Sequence, residues 1–412
     1  MASRVGANLP AVGGFNEAVI LDAIRRAPEG ISRVELAART GLSAQTVTNV
    51  SRRLLTGGVI REAGTVIAGV GKPRTLLQLC PDGRFAIGVH LDPSVVTIVL
   101  LDLAGELIDH RVLDVDPEST AQHTLDEIAI ETRAIIGAGR VLPERILGVG
   151  IAAPGPLLEA SGTVLNPPLL PNWERIAVRD LLSDRVELPV LLEKDVTAAA
   201  VAEQWVAGGD RENFAFVYYG TGIGFGLVLQ NEVIRGASGN VGDIGGFAVG
   251  HTDASGPSRP FGDSVSPTSV VARALAAGLE LATPAQRTGG FQLLDEFTAL
   301  VHAAERGEAQ ASVIVDQVVA DLASSLVPVA NLLDVDRFVF GGPFWAPIAR
   351  LALAELPRTF AASPVLVGAH KVAFEESAIA ADVAAIGAAC LVLDHALSPR
   401  PARMLLAHRG TA

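Results

Sequence analysis

Apolar positions near the start of the chain recur three and four residues apart. Phe15, Val19, Ile20, Ala23 and Ile24 fall on one face of a first helix. Ser32-Arg33-Val34-Glu35 has the spacing of a capping box, which opens a second helix, VELAART, ended by Gly41. Ser43 caps a third, AQTVTNVSRRLL. Helix, short turn with glycine, helix is the helix-turn-helix layout. In the third helix Val47, Val50 and Leu54 face inward, and Gln45, Thr48, Asn49 and Arg52 share the opposite side. The period then changes. After Gly57-Gly58, the strand-like runs VIREAG and TLLQL flank TVIAGVGKPR, a loop with Lys72 and Arg74 at its end. That is a β-hairpin wing with a basic tip, suited to phosphate or a minor groove. A polar helix face alone is usually just solvated. The wing beside it makes this one a DNA reader, and Arg33, Ser43 and Thr46 complete the expected DNA-facing set.

Beyond residue 84 the pattern is longer apolar runs. RFAIGVHLD, VVTIVLLDL and ELIDHRVLDV predict three strands, with a turn at Ala104-Gly105. Leu125, Ile128, Ala129, Ile135 and Ile136 mark an amphipathic helix, and RILGVGIAAPGP a buried strand. The order recurs: FAFVYYGTGIGFGLVLQNEVIRG predicts strand, turn, strand, turn, strand, followed by helical stretches and by RFVFGG and PVLVGAHKVAF. Two copies of one unit predict two α/β lobes around a cleft.

Composition refines this picture. A chain of 412 residues, 49% hydrophobic with mean hydropathy +0.39, has enough apolar surface for two or three domains. No apolar run approaches the ~20 residues of a membrane span, and MASRVGANLPAVGG has no signal-like apolar core. Two cysteines make neither a disulfide framework nor a cysteine-rich zinc site. A cytoplasmic protein with no membrane partner is expected. The net charge of −13 is uneven: residues 1–80 hold ten basic and five acidic residues, so the head carries +5 and the remainder −18. A basic head on an acidic body points to a polyanion partner for the head alone.

Several motifs, in order, carry a family resemblance: TGLSAQTVTNVSRRLL, APGPLLEASGTVLNPPLLPNW, EKDVTAAAVAE, YGTGIGFGLVLQNEVIRGASGNVGDIGG and FVFGGPF. Over roughly residues 15–396 the chain resembles the ROK family of sugar kinases and sugar-responsive repressors. The resemblance implies a winged helix-turn-helix at 15–80 after a flexible arm at 1–14. It also implies a ribonuclease-H-like, actin-type body at 84–396 and a tail at 397–412. In that body, 84–195 with 375–396 would form the first lobe and 196–374 the second.

A kinase of this family needs a glycine turn in each lobe for ATP phosphates, a carboxylate base and groups that grip sugar hydroxyls. Where the family has Asp-x-Gly-Gly-Thr, this chain reads Leu91-Asp92-Pro93-Ser94-Val95-Val96. Proline lacks an N–H and valine resists the turn, so an amide cradle is not expected there. The second turn, Gly220–Gly226, and the Gly341-Gly342 pair are present. The resemblance places the base at Asp195, here a vestigial one. It places Asn166, Lys194 and Asp243 beside it as ligand-binding residues, with Lys194 where the kinases have asparagine. Asp195 also fits a plain helix cap. Gly242-Asp243-Ile244-Gly245-Gly246 lacks the family's zinc-binding histidine, no cysteine follows, and Val265 stands where a glutamate is usual. His251 alone supplies no structural zinc site. No metal and no cofactor are expected.

The expectation is a DNA-binding transcriptional regulator of the repressor kind, not an enzyme. Its cleft would sense a sugar, sugar acid or sugar phosphate, the anionic ones being favoured by Lys194. Its partners would be a double-stranded operator and its own copies, as a homodimer or homotetramer. The alternatives are an active ATP-dependent sugar kinase with a regulatory head, or an architectural protein without a ligand.

Overall fold

The computed structural model describes residues 9–66, 73–93, 95–115, 119–167, 170–207, 211–249, 259–281, 289–368, 370–379 and 381–397. The head comprises α1 (Leu9–Arg25), β1 (Ile31–Ser32), α2 (Arg33–Thr40), α3 (Ala44–Thr56), β2 (Ile60–Val66) and β3 (Arg74–Leu79). The first helix begins at Leu9, so residues 9–14 belong to it and not to an arm. The capping box forms: Glu35 N–H donates to Ser32 Oγ at 3.3 Å, and Ser32 N–H donates to Glu35 Oε2 at 2.9 Å. Donation from the Ser32 N–H and from its hydroxyl holds the Glu35 carboxyl below its usual range. Ser43 caps α3, and β2 pairs antiparallel with β3 as the wing, which β1 extends to three strands. Ile20, Leu21, Ile24, Leu36, Val47, Val50, Leu54 and Leu77 fill the head's core. Ala18 and Leu21 are buried in α1, whereas Phe15, Val19 and Ala23 are half-buried. The buried stripe is therefore rotated from the expected one.

The first lobe follows as β4 (Phe85–Leu91), β5 (Val95–Asp102), β6 (Leu107–Asp114), α4 (Ala121–Ala138), β7 (Ile146–Ala153), the short pair β8 (Leu157–Leu158) and β9 (Thr163–Val164), α5 (Val178–Val186) and β10 (Val190–Lys194). Its sheet runs β10-β7-β4-β5-β6, antiparallel through β4-β5-β6 and parallel through β4-β7-β10. β4 is buried along its whole length because α12 (Val383–Leu397), the last helix of the chain, covers one face of that sheet and α4 and α5 cover the other. β6 is the edge, and its residues alternate between exposed and half-buried.

Helix α6 (Asp195–Ala207) leads into the second lobe. That lobe comprises β11 (Phe214–Tyr219), β12 (Ile223–Leu229), β13 (Glu232–Ile234), the pair β14 (Ala248–Val249) and β15 (Arg259–Pro260), α7 (Phe261–Val265), α8 (Pro267–Ala276), α9 (Gly289–Glu305), α10 (Ala309–Leu333), β16 (Arg337–Gly341), α11 (Trp345–Ala361) and β17 (Ala373–Glu376). Its sheet, β13-β12-β11-β16-β17, repeats the order and senses of the first. Among the described residues of the expected strand PVLVGAHKVAF, only the end is strand. β17 runs to Glu376, so the division expected at 374–375 falls inside it. Helix α10 is long and apolar enough to cross a membrane, yet Val315, Val318, Leu322, Leu326 and Val329 build the second lobe's core.

The lobes meet where α6 crosses α12. Helix α6 packs on β12 and β11, and α12 packs on β4 and β7. Nearly every side chain from Val196 to Glu203 is buried, because both faces of the helix are covered. Cys390 lies in this layer, and burial pushes its thiol up to about 12, so it stays an unreactive apolar filler.

Candidate ligand cleft and DNA-facing head

Register brings two turns face to face. In the first sheet Leu91 pairs with Val96, with Asp92 and Pro93 at the bend between the strands; in the second, Tyr219 pairs with Ile223, which leaves 220–222. Thr221 Oγ1 donates across the cleft to Asp92 Oδ2 at 3.1 Å. Three positions of these turns offer no amide to a phosphate. Asp92 N–H is spent on the Val95 carbonyl at 3.1 Å, Pro93 has none, and Gly220 N–H is turned onto the Gly222 carbonyl at 2.9 Å. The glycines further along serve packing: a Cβ on Gly226 would lie 2.1 Å from the Val196 carbonyl oxygen, so only glycine lets α6 settle on β12.

A cavity of about 140 Å³ lies between the turns, lined by Asp92, Gly155, Lys194, Asp195, Thr221 and Asp243 among others. At a water's share of ~30 Å³ of liquid, it holds about four or five waters or one small polar molecule. The chain reverses into helix at the end of β10, which places Asp195 at the helix start, its Oδ1 accepting from Val196 N–H at 2.7 Å. Burial raises the Asp195 carboxyl above its usual range. His90, the Val196 N–H and Lys194 oppose that rise, and Asp92 adds to it. Lys194 is buried and lines the cavity, with Nζ 3.5 Å from the Val241 carbonyl. Its neighbour Glu193 is held by Arg235 at 2.6 Å. Asp243 is exposed at the rim. Asn166 is not among the described lining residues; it is exposed, with φ of 40°, in the loop after β9.

The sequence reading missed His90. It is buried near the end of β4, with Nε2 3.4 Å from Tyr218 Oη and its ring edge-on to the tyrosine. Burial holds the Tyr218 hydroxyl protonated, well above its usual range. One imidazole in the otherwise apolar strand FAIGVHL was the available signal. His90, Thr97 and Asp382 also line a second cavity of about 170 Å³ across Asp92, whose other walls include Val95, Val112, Leu294 and Phe344. Among the described residues no group of His, Cys, Asp and Glu is placed to hold a metal. His251 lies outside the described residues. Val265 is buried in α7, its carbonyl accepting from the Tyr219 hydroxyl at 2.5 Å.

On the head, Gln45, Asn49 and Arg52 are exposed along one side of α3, with Gln45 Nε2 donating to Asn49 Oδ1 at 3.3 Å. The other expected contacts are more committed. The Thr48 hydroxyl donates to the Ala44 carbonyl at 2.7 Å, Ser43 and Thr46 hydrogen-bond each other in the cap, and Arg33 pairs with Glu62 at 3.2 Å. Arg74 is exposed at the start of β3; Lys72 lies outside the described residues.

A family model described as ROK family matches residues 86–395, and one described as winged helix-turn-helix DNA-binding matches 19–61. A putative xylose repressor of Caldicellulosiruptor sp. (strain Rt8B.4) is 31% identical over 224 residues, which are 54% of this chain and 56% of that protein. The chain thus matches only about half of that relative's length. The xylose repressor of Caldicellulosiruptor bescii is 24% identical over 320 residues, 76% of this chain and 79% of the relative. Among solved structures, a ROK family transcriptional regulator described as a homologue of the E. coli MLC protein superposes with a TM-score of 0.74 at 22% identity. It covers 94% of this chain and 98% of its own, a likeness of fold.

Proposed function

Because the chain belongs to the ROK family and carries a winged helix-turn-helix ahead of the family domain, we propose that it is a DNA-binding transcriptional regulator, of the repressor kind, whose cleft takes a sugar as effector. The observation that carries this is the exposed face of α3, where Arg52 has no partner among the described residues, on a chain that also holds a polar inter-lobe cavity. Such a face is free to read base edges in a major groove. The repressor relatives point the same way, toward a monosaccharide.

Charge moves the effector from an anion to a neutral sugar. Asp92, Asp195 and Asp243 line the cavity against one cation, Lys194, among the described lining residues, and carboxylates suit hydroxyl donors better than phosphate. The same balance, with Pro93 in the first turn, argues against ATP and hence against catalysis. With ATP, magnesium and a panel of hexoses and pentoses, phosphoryl transfer is expected to stay at background. Turnover that vanishes in Asp195→Ala would establish the kinase reading instead.

One winged head offers few contacts, so paired heads on a two-part operator are part of the proposal, as is residence in the cytoplasm with the DNA. The direct test is to enrich an operator from a randomised duplex pool and titrate D-xylose and other neutral sugars against free and operator-bound protein. Sugar and operator are expected to change each other's affinity by one common factor. Sugar affinity is expected to fall as pH falls, beginning above the range of an ordinary aspartate, since the raised Asp195 carboxyl protonates early and loses its charge-assisted acceptance. Asp195→Asn should remove that pH dependence. No enriched operator, or identical sugar affinities in both titrations, would defeat the reading.

A further inference from the structure

Helix α6 begins in the cleft and ends under the head. Asp195, its first residue, lines the cavity, and Trp205 lies ten residues on, about 15 Å along the axis. There the Arg25 guanidinium of α1 covers the indole, 4.3 Å from its centroid. Arg25 is held in place by Asp22 on its own helix at 3.0 Å. The indole's edge abuts the β5–β6 turn: a Cβ on Gly105 would lie 2.7 Å from Trp205 Nε1.

The helix that carries this ring is fastened to the second lobe. Glu203, 1% exposed, accepts from Ser377 Oγ at 2.6 Å and pairs with Arg211, which reaches Glu375 of β17 at 2.9 Å. Meanwhile α1 also packs on α12, which is laid on the first sheet. The head therefore rests on a helix tied to each lobe, besides the Gly83 and Arg84 contacts with Gly57 and Gly58 that join it to the start of the first lobe. A rotation of the lobes about the α6–α12 crossing must change the spacing of those supports.

We propose that Trp205 is the residue through which the state of the cleft reaches the head. The Arg25–Trp205 stack keeps α1 in register with α6, and a shift of α6 on effector binding slides the indole under Arg25 and re-aims α3. This rests on the regulator reading above. A cation over an indole is attracted by the ring's quadrupole, so the contact holds position without fixing a single hydrogen-bond geometry. It can follow a small displacement instead of breaking.

The test uses the full chain, an operator enriched from a duplex pool, and D-xylose as probe. Amide hydrogen exchange over 190–207 and 220–226 reports the cleft without requiring the sugar to be the native effector. In the wild type, operator binding is expected to change that exchange and to shift D-xylose affinity by about fivefold or more. In Trp205→Ala and in Arg25→Ala the exchange change should vanish and the shift should fall to within about twofold of unity. Trp205→Phe, which keeps an aromatic face, should restore both. Thermal melting and operator affinity without sugar separate this from misfolding, and Arg25→Ala serves as the milder variant, since its side chain sits at the head's border. A wild-type exchange response that survives unchanged in Trp205→Ala and Arg25→Ala overturns the inference and leaves the regulator reading standing. So does an operator that binds the wild type without any response in the cleft. A wild type that binds no duplex removes the regulator reading itself, and the inference with it.

Discussion

Asn49→Ala combined with Arg52→Ala is expected to abolish operator recognition while leaving the fold intact. Both side chains are exposed on α3, and neither contributes to the head's core of Val47, Val50 and Leu54. Each lost base contact costs about 1–3 kcal/mol, so the pair should cost about 2–6 kcal/mol, or roughly two to four orders of magnitude in specific affinity. Two neighbours supply contrast. Arg53 is also exposed but pairs with Glu17 at 2.9 Å on α1, so Arg53→Ala should cost far less specificity. Arg74→Ala should weaken every duplex alike and lower the salt slope by about one. Fluorescence anisotropy with operator and scrambled duplexes, each at several salt concentrations, reads all of these. A double variant that still prefers the operator would show that another face reads the DNA.

The second large effect concerns stability. In α12 a Cβ on Gly387 would lie 1.8 Å from the Ala198 carbonyl oxygen of α6. That atom is backbone in a helix covered on both faces, so it cannot swing aside. Gly387→Ala must force the two helices apart, and with them the lobes. Overpacking of a tight core typically costs 1–3 kcal/mol, and a backbone clash of this depth should reach about 3 kcal/mol or more. Gly137 near the end of α4 gives the opposite case, because nothing lies within 4 Å of its would-be Cβ. Gly137→Ala should be neutral or stabilising by about 0.5–1 kcal/mol, through the lower entropy of the unfolded chain. Denaturant melts of both variants in one buffer decide it; a Gly387→Ala protein as stable as the wild type would mean that the crossing is loose.

The head was legible because its signals are local. Ser32 with Glu35, and Ser43 with Thr46, are caps whose partners lie within one turn, and the spacing of Val47, Val50 and Leu54 names the inner face of α3. The two sheets were legible because strands covered on both faces leave uninterrupted apolar runs, as in β4 and β11. What depends on distant neighbours was not. The buried face of α1 takes in Ala18 and Leu21, and the helix also packs on α12 of the body, a neighbour that no period within the head reveals. Helix α6 shows no one-sided apolar stripe, being small or apolar almost all round from Val196 to Ala202, so its sequence does not say that it joins the lobes and supports the head. In the cleft, resemblance placed Asp195 and Asp243 on one cavity, but Asn166 does not line it. His90 carries no local motif; it matters only because folding sets it against Tyr218 and near Asp195.

The division of labour along α6 bears on how such a protein can diversify. The polar groups that line the cavity come from the strand ends and turns around the start of this helix. The stretch from Val196 to Val201 offers only small or branched apolar side chains and one buried threonine. A lineage that acquires a new nutrient can therefore exchange Lys194, Asp243 or the Pro154-Gly155 turn without altering the rod behind them. Selection on what is recognised and selection on how recognition is relayed then fall on separate codons.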